Sequence, residues 1–293
     1  MNAWQRTFYL TVSSLLLQPW LLGRPAAAAG RFDARMRAAD EYMKAGAYNQ
    51  AGFELREAVQ MKPDNFEARW KLALVDERLG VVDEAILTLF EALRLNPRSA
   101  EVRFELGSLL MKKESWDEAG AHFRQILEEN PKDVAARGNL GICLEQLEQY
   151  DAAIEQFRMV VRQEPKNAVA HYNLAAVLEA KKFWQEAASE YRQVIALDPR
   201  HAMAYVGLGK CMLQRGDARA AMALERKAIE LSPGNHWAYL LLGASLEQSG
   251  NRAAAVDAYR RGIQLNPRDP GSKAALAHLL KSRLAAESGA VPN

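Results

Sequence analysis

Small and bulky apolar residues recur along this chain at fixed places in a unit of 34 residues. Counted from Phe32, the seventh residue is leucine in six of the seven units, the eighth is alanine or glycine, and the twentieth is always alanine. Four residues after this alanine, a bulky apolar side chain follows in six units, which puts the pair on one face of a helix. The pattern predicts two helices in each unit, with the small residues leaving room for the bulky ones.

Proline stands at one place near the end of each unit. The series is Pro63, Pro97, Pro131, Pro165, Pro199, Pro233 and Pro267. Because proline has no backbone donor and disfavours helix in the residue before it, each one is predicted to end a helix. Two residues later, six of the seven units have Asn, Ser or Asp, which cap helix N-termini; the exception is His201. The turn between the two helices of a unit is marked by glycine in four units and by polar residues in the other three.

The period also sets the domain organisation. The seven units are residues 32–65, 66–99, 100–133, 134–167, 168–201, 202–235 and 236–269. Pro270 follows a capping residue and precedes an apolar face, so residues 270–287 are predicted to form a helix that closes the array. Residues 288–293 are expected to be disordered.

Residues 1–29 precede the repeats and do not follow their pattern. A basic start at Arg6, an apolar stretch over residues 7–22 and an alanine-rich segment ending at Ala29 are typical of a signal peptide covering residues 1–29. The alternative is an uncleaved membrane anchor, although the apolar stretch is shorter than the roughly 18 to 20 residues needed to span a bilayer. We expect an exported protein in the periplasm, or one anchored in the inner membrane and facing the periplasm.

These features together resemble the tetratricopeptide repeat over residues 32–269. The resemblance implies an all-α fold, a right-handed superhelical solenoid of helix-turn-helix repeats, with the first helices lining its concave side. The tryptophan that the family favours at the fourth position is replaced, in unit order, by Arg35, Arg69, Arg103, Arg137, His171, Tyr205 and Tyr239. Asp76 and Glu225 stand where the pattern requires apolar residues, and we expect Leu224 to take the place of Glu225.

Composition and charge argue against several classes of function. Without Arg6 and Arg24 of the leader, 36 basic residues balance 36 acidic ones, so no electrostatic footprint for nucleic acid remains. The five histidines show no metal-ligand spacing, and no glycine-rich phosphate loop or nucleophile elbow is present. Cys143 and Cys211 lie two units apart, too far for a disulfide in an extended stack. We expect no enzymatic activity, no metal and no cofactor.

The resemblance also implies where a partner would bind, namely at the second, fifth, sixth, ninth, twelfth and thirteenth positions of each unit. Apolar residues there are Trp70, Leu74, Phe104, Ile142, Tyr172, Met203, Val206, Trp237 and Leu240. Exposed apolar patches usually mark partner sites, but several of these residues could instead form the core between repeats or be covered by the C-terminal helix. Asn139 and Asn173 share the sixth position in neighbouring units, where asparagines of peptide-binding members grip the backbone of an extended ligand. The alternative is that they are ordinary solvated side chains.

The sequence therefore predicts an exported adaptor that binds a protein or peptide segment in a concave apolar groove. One alternative is a self-associating scaffold, a homo-oligomer that supports polysaccharide or pilus export. Another is the regulatory subunit of a separate enzyme. Contact with a membrane is expected only through an uncleaved leader.

Overall fold

A computed structural model describes residues 24–287, with side chains described for residues 30–281. Most of the predicted leader, residues 1–23, and the predicted disordered tail, residues 288–293, lie outside the described residues. Residues 24–29, the last six of the predicted signal peptide, form the start of the first helix. The described residues are α-helices joined by short turns, and none of these residues lies in a β-strand.

The chain divides into two compact units, the first ending at Glu114 and the second beginning at Ser115. Among its described residues, the first unit has the helices α1 (Arg24–Lys44), α2 (Tyr48–Met61), α3 (Phe66–Arg78), α4 (Val82–Leu95) and α5 (Ala100–Lys112). Its core includes apolar residues of α1, α2 and α3, among them Phe32, Leu55 and Leu72.

The second unit contains ten helices among its described residues. They are α6 (Trp116–Glu129), α7 (Val134–Gln146), α8 (Tyr150–Gln163), α9 (Ala168–Ala180), α10 (Trp184–Leu197), α11 (Ala202–Gln214), α12 (Ala218–Leu231), α13 (His236–Gln248), α14 (Arg252–Leu265) and α15 (Pro270–Glu287). The first helices of successive hairpins, α7, α9, α11 and α13, contact one another in that order. We call the surface that these four helices form the first-helix face.

The helices begin where the capping residues stand. Asn65 accepts a hydrogen bond from the backbone N–H of Ala68 at 2.8 Å, and Asp133 accepts one from Ala136 at 2.9 Å. His201, which does not belong to the usual capping residues, also caps its helix: its Nδ1 accepts from the N–H of Ala204 at 3.1 Å. A neutral imidazole nitrogen can accept in this way, so the seven sites work alike.

Small and bulky residues pack against each other within hairpins of the second unit. The alanine at the twentieth position is fully buried in all seven repeats. At Gly141, an added Cβ would lie 2.7 Å from the ring of Phe157, and at Gly243 it would lie 2.5 Å from the ring of Tyr259. The bulky side chain thus fills the space that the small residue leaves, as the sequence pattern predicts.

The turns inside the hairpins need a left-handed backbone. Gly46, Gly80, Gly216 and Gly250 adopt positive φ angles, as does each polar residue at the same place, with φ of 59° at Glu114, 58° at Glu148 and 62° at Lys182. A positive φ costs a non-glycine residue more free energy than it costs glycine. The packing of the flanking helices must therefore stabilise this conformation at the three polar residues.

Residues at the fourth position of the repeat form hydrogen bonds to the backbone of the preceding loop. In five repeats they donate a hydrogen bond to the carbonyl of the proline six residues earlier. The pairs are Arg69 with Pro63, Arg103 with Pro97, Arg137 with Pro131, His171 with Pro165 and Tyr205 with Pro199. His171 and Arg137 also bind polar side chains of the second helix in their own repeat, Glu190 and Gln156. In these five repeats the donors tie the first helix to the loop before it and satisfy a carbonyl group of that loop.

The two acidic residues at apolar positions are both buried. Asp76 is 3% exposed, and its Oδ1 accepts a hydrogen bond from the Arg56 guanidinium at 2.7 Å. Glu225 is fully buried within α12, whereas Leu224 is only half-buried. The expected replacement of Glu225 by Leu224 is therefore wrong, because the helix keeps its register and carries the carboxyl group into the core.

Candidate functional site

The predicted site residues fall in both compact units. In the first unit, Trp70 and Leu74 lie on α3 and Phe104 lies on α5, and all three are half-buried. The Trp70 ring lies 6.0 Å from the ring of Phe66, and its indole N–H is buried without an acceptor among the described residues. Trp70 is thus partly a packing residue.

In the second unit, Asn139, Ile142 and Asn173 line one groove with a volume of about 420 Å³. Phe157 and Val160 of α8 contribute apolar surface to it, as do residues of α7 and α9. We call this cavity the asparagine groove. The side chains of Asn139 and Asn173 make no hydrogen bond within the described part of the chain, so their amide donors and acceptors are available to a ligand.

Five other predicted residues line a second groove, which also has a volume of about 420 Å³ and which we call the aromatic groove. They are Tyr172, Met203, Val206, Trp237 and Leu240. The groove lies on the first-helix face across α9, α11 and α13, with Tyr191 of α10 contributing as well. The register of the repeats brings these residues together, although they are spread over 69 positions of the sequence.

The residues of the aromatic groove differ in how much surface they present. Trp237 is 46% exposed and Met203 is 38% exposed, so both offer apolar area to a partner. Val206 is buried at 6% exposure and forms a small core cluster with Ala228 and Ala238. Val206 is therefore part of the floor of the groove, while Trp237 and Met203 form its accessible surface.

Tyr172 combines packing and exposure. Its ring lies 5.9 Å from the ring of Tyr191 and 5.0 Å from that of His201. Burial raises the pKa of its hydroxyl, and the nearby carboxylates of Glu179 and Glu145 raise it further. A substitution at Tyr172 would consequently disturb the packing of α9 against α10 as well as any ligand.

Two charged residues in the aromatic groove were absent from the predicted site. The Glu179 carboxylate accepts hydrogen bonds from the ammonium of Lys210 at 2.7 Å and from the hydroxyl of Tyr191 at 2.9 Å. Burial, followed by the charge of Glu179, raises the pKa of Tyr191 far above its usual range. Glu179 and Lys210 stand at the twelfth and ninth positions of their units, so the positional rule could have found them if it had not been restricted to apolar and amide side chains.

The geometry defines a class of protein: an array of helical hairpins with grooves between neighbouring first helices. Among the described residues, no group of three or more His, Cys, Asp or Glu side chains could hold a metal ion. Nor is any helix within residues 24–287 long and apolar enough to cross a membrane.

The sequence model of a family described as tetratricopeptide repeat matches residues 42–109, 110–178 and 212–279. A second model with the same description matches residues 172–236. These matches run without a gap from residue 42 to residue 279, so the chain belongs to the tetratricopeptide repeat family. The resemblance found in the sequence and the predicted all-α fold of helical hairpins are confirmed. The right-handed sense of the superhelix stays a prediction.

Several solved structures share this fold. A tetratricopeptide repeat protein from Parabacteroides merdae is 19% identical with a TM-score of 0.64, covering 86% of this chain and 99% of its own. YrrB, described as a tetratricopeptide repeat protein with an unusual peptide-binding site, is 22% identical with a TM-score of 0.56, covering 63% of this chain and 95% of its own. PilF of Pseudomonas aeruginosa is 20% identical with a TM-score of 0.57, covering 72% and 96%. At these identities the likeness shows the fold alone.

A search among curated proteins finds no match to this chain. Family membership gives a general role, because tetratricopeptide repeat arrays are scaffolds for protein–protein interaction and are generally not enzymes. The predicted role of an interaction protein holds at this level. Export and the groove that binds the partner remain predictions.

Proposed function

We propose that this protein is an exported adaptor that holds a segment of another protein on the first-helix face of its second unit. The observation that carries the proposal is the aromatic groove, where Trp237 and Met203 expose large apolar side chains beside the polar pair of Glu179 and Lys210. Concave, mostly apolar sites with a few placed polar groups are the usual form of a binding site.

The aromatic groove would supply most of the affinity. Trp237 stands near the N-terminus of α13 with almost half of its surface in water, and burying such an aromatic anchor often contributes about 2 kcal/mol or more to an interface. Leu240 forms an apolar wall and Val206 the apolar floor, and both exclude water around an inserted side chain.

The asparagine groove would supply orientation. Asn139 and Asn173 lie on neighbouring first helices, line the same cavity and have free amide groups within the described part of the chain. An asparagine amide can donate to a peptide carbonyl and accept from a peptide N–H, which suits an extended backbone of any sequence. The peptide-binding site described for YrrB supports a peptide as the ligand class.

Export rests on the sequence of residues 1–29, which has the three parts of a signal peptide. Cleavage after Ala29 would remove residues 24–29 from the start of α1 and leave the helical core residues from Phe32 onward. We place the mature protein in the periplasm, where its adaptor role would connect envelope proteins. Fractionation and N-terminal sequencing of the mature chain test this part separately.

A second candidate function, self-association, has its own observation. On the second helices of the first unit, Phe53 is 57% exposed and Leu87 is 65% exposed. Exposed apolar side chains on neighbouring hairpins are a feature of protein interfaces. Mass measured against concentration distinguishes this function from monomeric peptide binding, since self-association predicts a mass that rises with concentration and falls after Leu87→Asp.

The test of the adaptor is crosslinking and capture from the native envelope fraction, with the wild-type chain compared against Trp237→Ala and Asn139→Ala plus Asn173→Ala. Phe183→Ala is the matched control, because Phe183 is 43% exposed in a turn of the same unit and lines neither groove. We expect the same partner to be lost in both groove variants and kept in the control. An unchanged partner list in both groove variants would refute binding at this face.

A further inference from the structure

The first-helix face of the second unit carries an excess of negative charge. We call the second, fifth, sixth, ninth, twelfth and thirteenth positions of each repeat the inner positions. On this face their acidic side chains are Glu145, Glu179 and Glu247, all at the twelfth position, and their one basic side chain is Lys210. Lys210 is already bound to Glu179 at 2.7 Å. Glu145 and Glu247 therefore have no lysine or arginine of this face to balance them.

We propose that the aromatic groove takes a large apolar side chain from a protein segment that also carries lysine or arginine, and that Glu145 and Glu247 bind these basic groups. The inference rests on the proposed adaptor function and adds the chemistry of the partner to it.

The three glutamates differ in what surrounds them. The Glu179 carboxylate accepts from the hydroxyl of Tyr191 at 2.9 Å, and the Glu247 carboxylate accepts from the hydroxyl of Tyr259 at 3.0 Å. In the repeat of Glu145, the residue at the tyrosine position is Phe157, which has no hydroxyl group to donate.

Glu145 is consequently the one glutamate of the three that receives no hydrogen bond from a tyrosine hydroxyl. Its side chain has no hydrogen-bond or ion-pair partner within the described part of the chain, and burial alone raises the pKa of its carboxyl group. A half-buried carboxylate that lacks a partner gains more from an incoming cation than a solvated one does, because part of its desolvation has already taken place.

Glu145 and Glu247, neither of which pairs with a lysine or an arginine within the described residues, lie on first helices of the same face as the aromatic groove. Glu145 lies on α7, which contacts α9, the helix that carries Tyr172. Burial, then the charges of Glu179 and Glu145, raises the pKa of the Tyr172 hydroxyl. Glu247 stands seven residues after Leu240 on α13, which places the two side chains on the same face two turns apart. Neither carboxylate lines the groove itself: Glu145 lies on the helix next to α9, and Glu247 lies two turns beyond Leu240 on α13.

The remaining charges nearby do not favour an acidic partner. The one charged residue lining the asparagine groove is another acid, Glu164, whose carboxylate accepts from the Asn167 amide at 2.7 Å. His278 approaches Glu247 at 3.7 Å but is 79% exposed and would add charge only when protonated. An acidic segment would meet mostly like charges on this face, which weakens binding, whereas a basic segment would meet complementary charge.

The experiment uses the full chain and three sets of fluorescein-labelled synthetic peptides. The sets have the same length and one central phenylalanine or leucine, and they differ only in whether the flanking positions are lysine, glutamine or glutamate. Fluorescence anisotropy at low and at moderate ionic strength should give about fivefold tighter binding of the lysine set than of the glutamine set, with the glutamate set weakest. The preference should shrink as salt is added.

Substitutions of Glu145 test whether its carboxylate causes the preference for the lysine peptides. In Glu145→Gln the lysine preference should fall to about twofold or less, while the glutamine set binds as before. Glu155→Gln is the matched control, because Glu155 is exposed on the second helix of the same repeat and should leave the preference unchanged. Glu145→Lys should favour the glutamate set.

The outcomes separate the inference from the function that it rests on. If all three sets bind equally and Trp237→Ala weakens all of them, the groove binds apolar segments and the charge inference is wrong. If no set binds, or if Trp237→Ala changes nothing, the groove is not a peptide site and both proposals are refuted. A lysine preference that persists in Glu145→Gln and in Glu247→Gln would also overturn the inference.

Discussion

Glu225 should make the stability of the second unit depend on pH. The residue is fully buried in α12 at a position where six of the repeats carry a bulky apolar side chain. Its Oε1 accepts a hydrogen bond from the hydroxyl of Ser245 on α13 at 3.0 Å, while its Oε2 is buried with no partner within the described part of the chain. Burial raises the pKa of this carboxyl group from 4.5 to about 7, and the bond from Ser245 offsets only part of that effect.

The sign of the effect follows from proton binding. Between about pH 4.5 and about pH 7 the folded protein keeps the proton on Glu225, whereas the unfolded chain has lost it. The folded state then binds more protons, so the free energy of unfolding decreases as the pH rises through this window. The difference between the two pKa values corresponds to about 3 kcal/mol, which is lost in full above about pH 7.

The perturbation is Glu225→Gln, which keeps the size and the bond from Ser245 but removes the ionisation. Urea unfolding followed by circular dichroism at about pH 5 and about pH 8 should show a variant that is more stable than the wild type at the higher pH, by up to about 3 kcal/mol, with little difference at the lower pH. Glu230→Gln is the control, because Glu230 is exposed on the same helix and its pair with Lys227 contributes only about 0.5 kcal/mol or less. If wild type and Glu225→Gln show the same dependence on pH, the carboxyl group does not titrate in the core and the reasoning fails.

Two further predictions concern packing in the second unit. Gly207→Ala should destabilise it by about 1 to 3 kcal/mol, because the new Cβ would lie 2.2 Å from the buried ring of Tyr191. Gly138→Ala should stabilise by about 0.5 to 1 kcal/mol, since its Cβ meets nothing within 4 Å in the middle of α7. Urea unfolding of the two variants measures this difference, and equal effects would contradict it. Burial raises the pKa of Cys143 to about 11 and of Cys211 to about 12, so at about pH 8 neither thiol should react with iodoacetamide in the folded protein. Mass spectrometry with and without urea checks this, and fast alkylation of the folded chain would show that the thiols are accessible.

The resemblance to the tetratricopeptide repeat, applied at each repeat, predicted which residues of the candidate site share a face. Tyr172, Met203 and Trp237 come from three different repeats, and the structure places them in one groove. Counting could not separate Val206 from Met203, since both are apolar residues at inner positions. Their exposure of 6% and 38% depends on the packing of α12 and α13, which is a tertiary property.

Several hydrogen bonds could not be predicted from the sequence, because they depend on which group a side chain contacts and not on the type of side chain. His201 caps a helix through a ring nitrogen, and Arg137 and His171 bind proline carbonyls that lie six residues earlier. Each role requires a particular distance between a side chain and a backbone atom, which residue identity does not give. The pairing of Glu179 with Lys210 across two repeats is of the same kind.

By itself, the sequence determined the helices, their ends and the number of repeats, because caps, prolines and the spacing of small and bulky residues act within a few residues of one another. The same local patterns could not predict that Glu225 is buried, because they favoured Leu224 in its place. Only the tertiary structure settled that point: the neighbouring turns hold α12 in register, and shifting the whole helix would bury the wrong face along its entire length. For the same reason, Glu145 becomes distinctive only when the structure shows that Phe157 occupies the place from which a tyrosine hydroxyl reaches the equivalent glutamates.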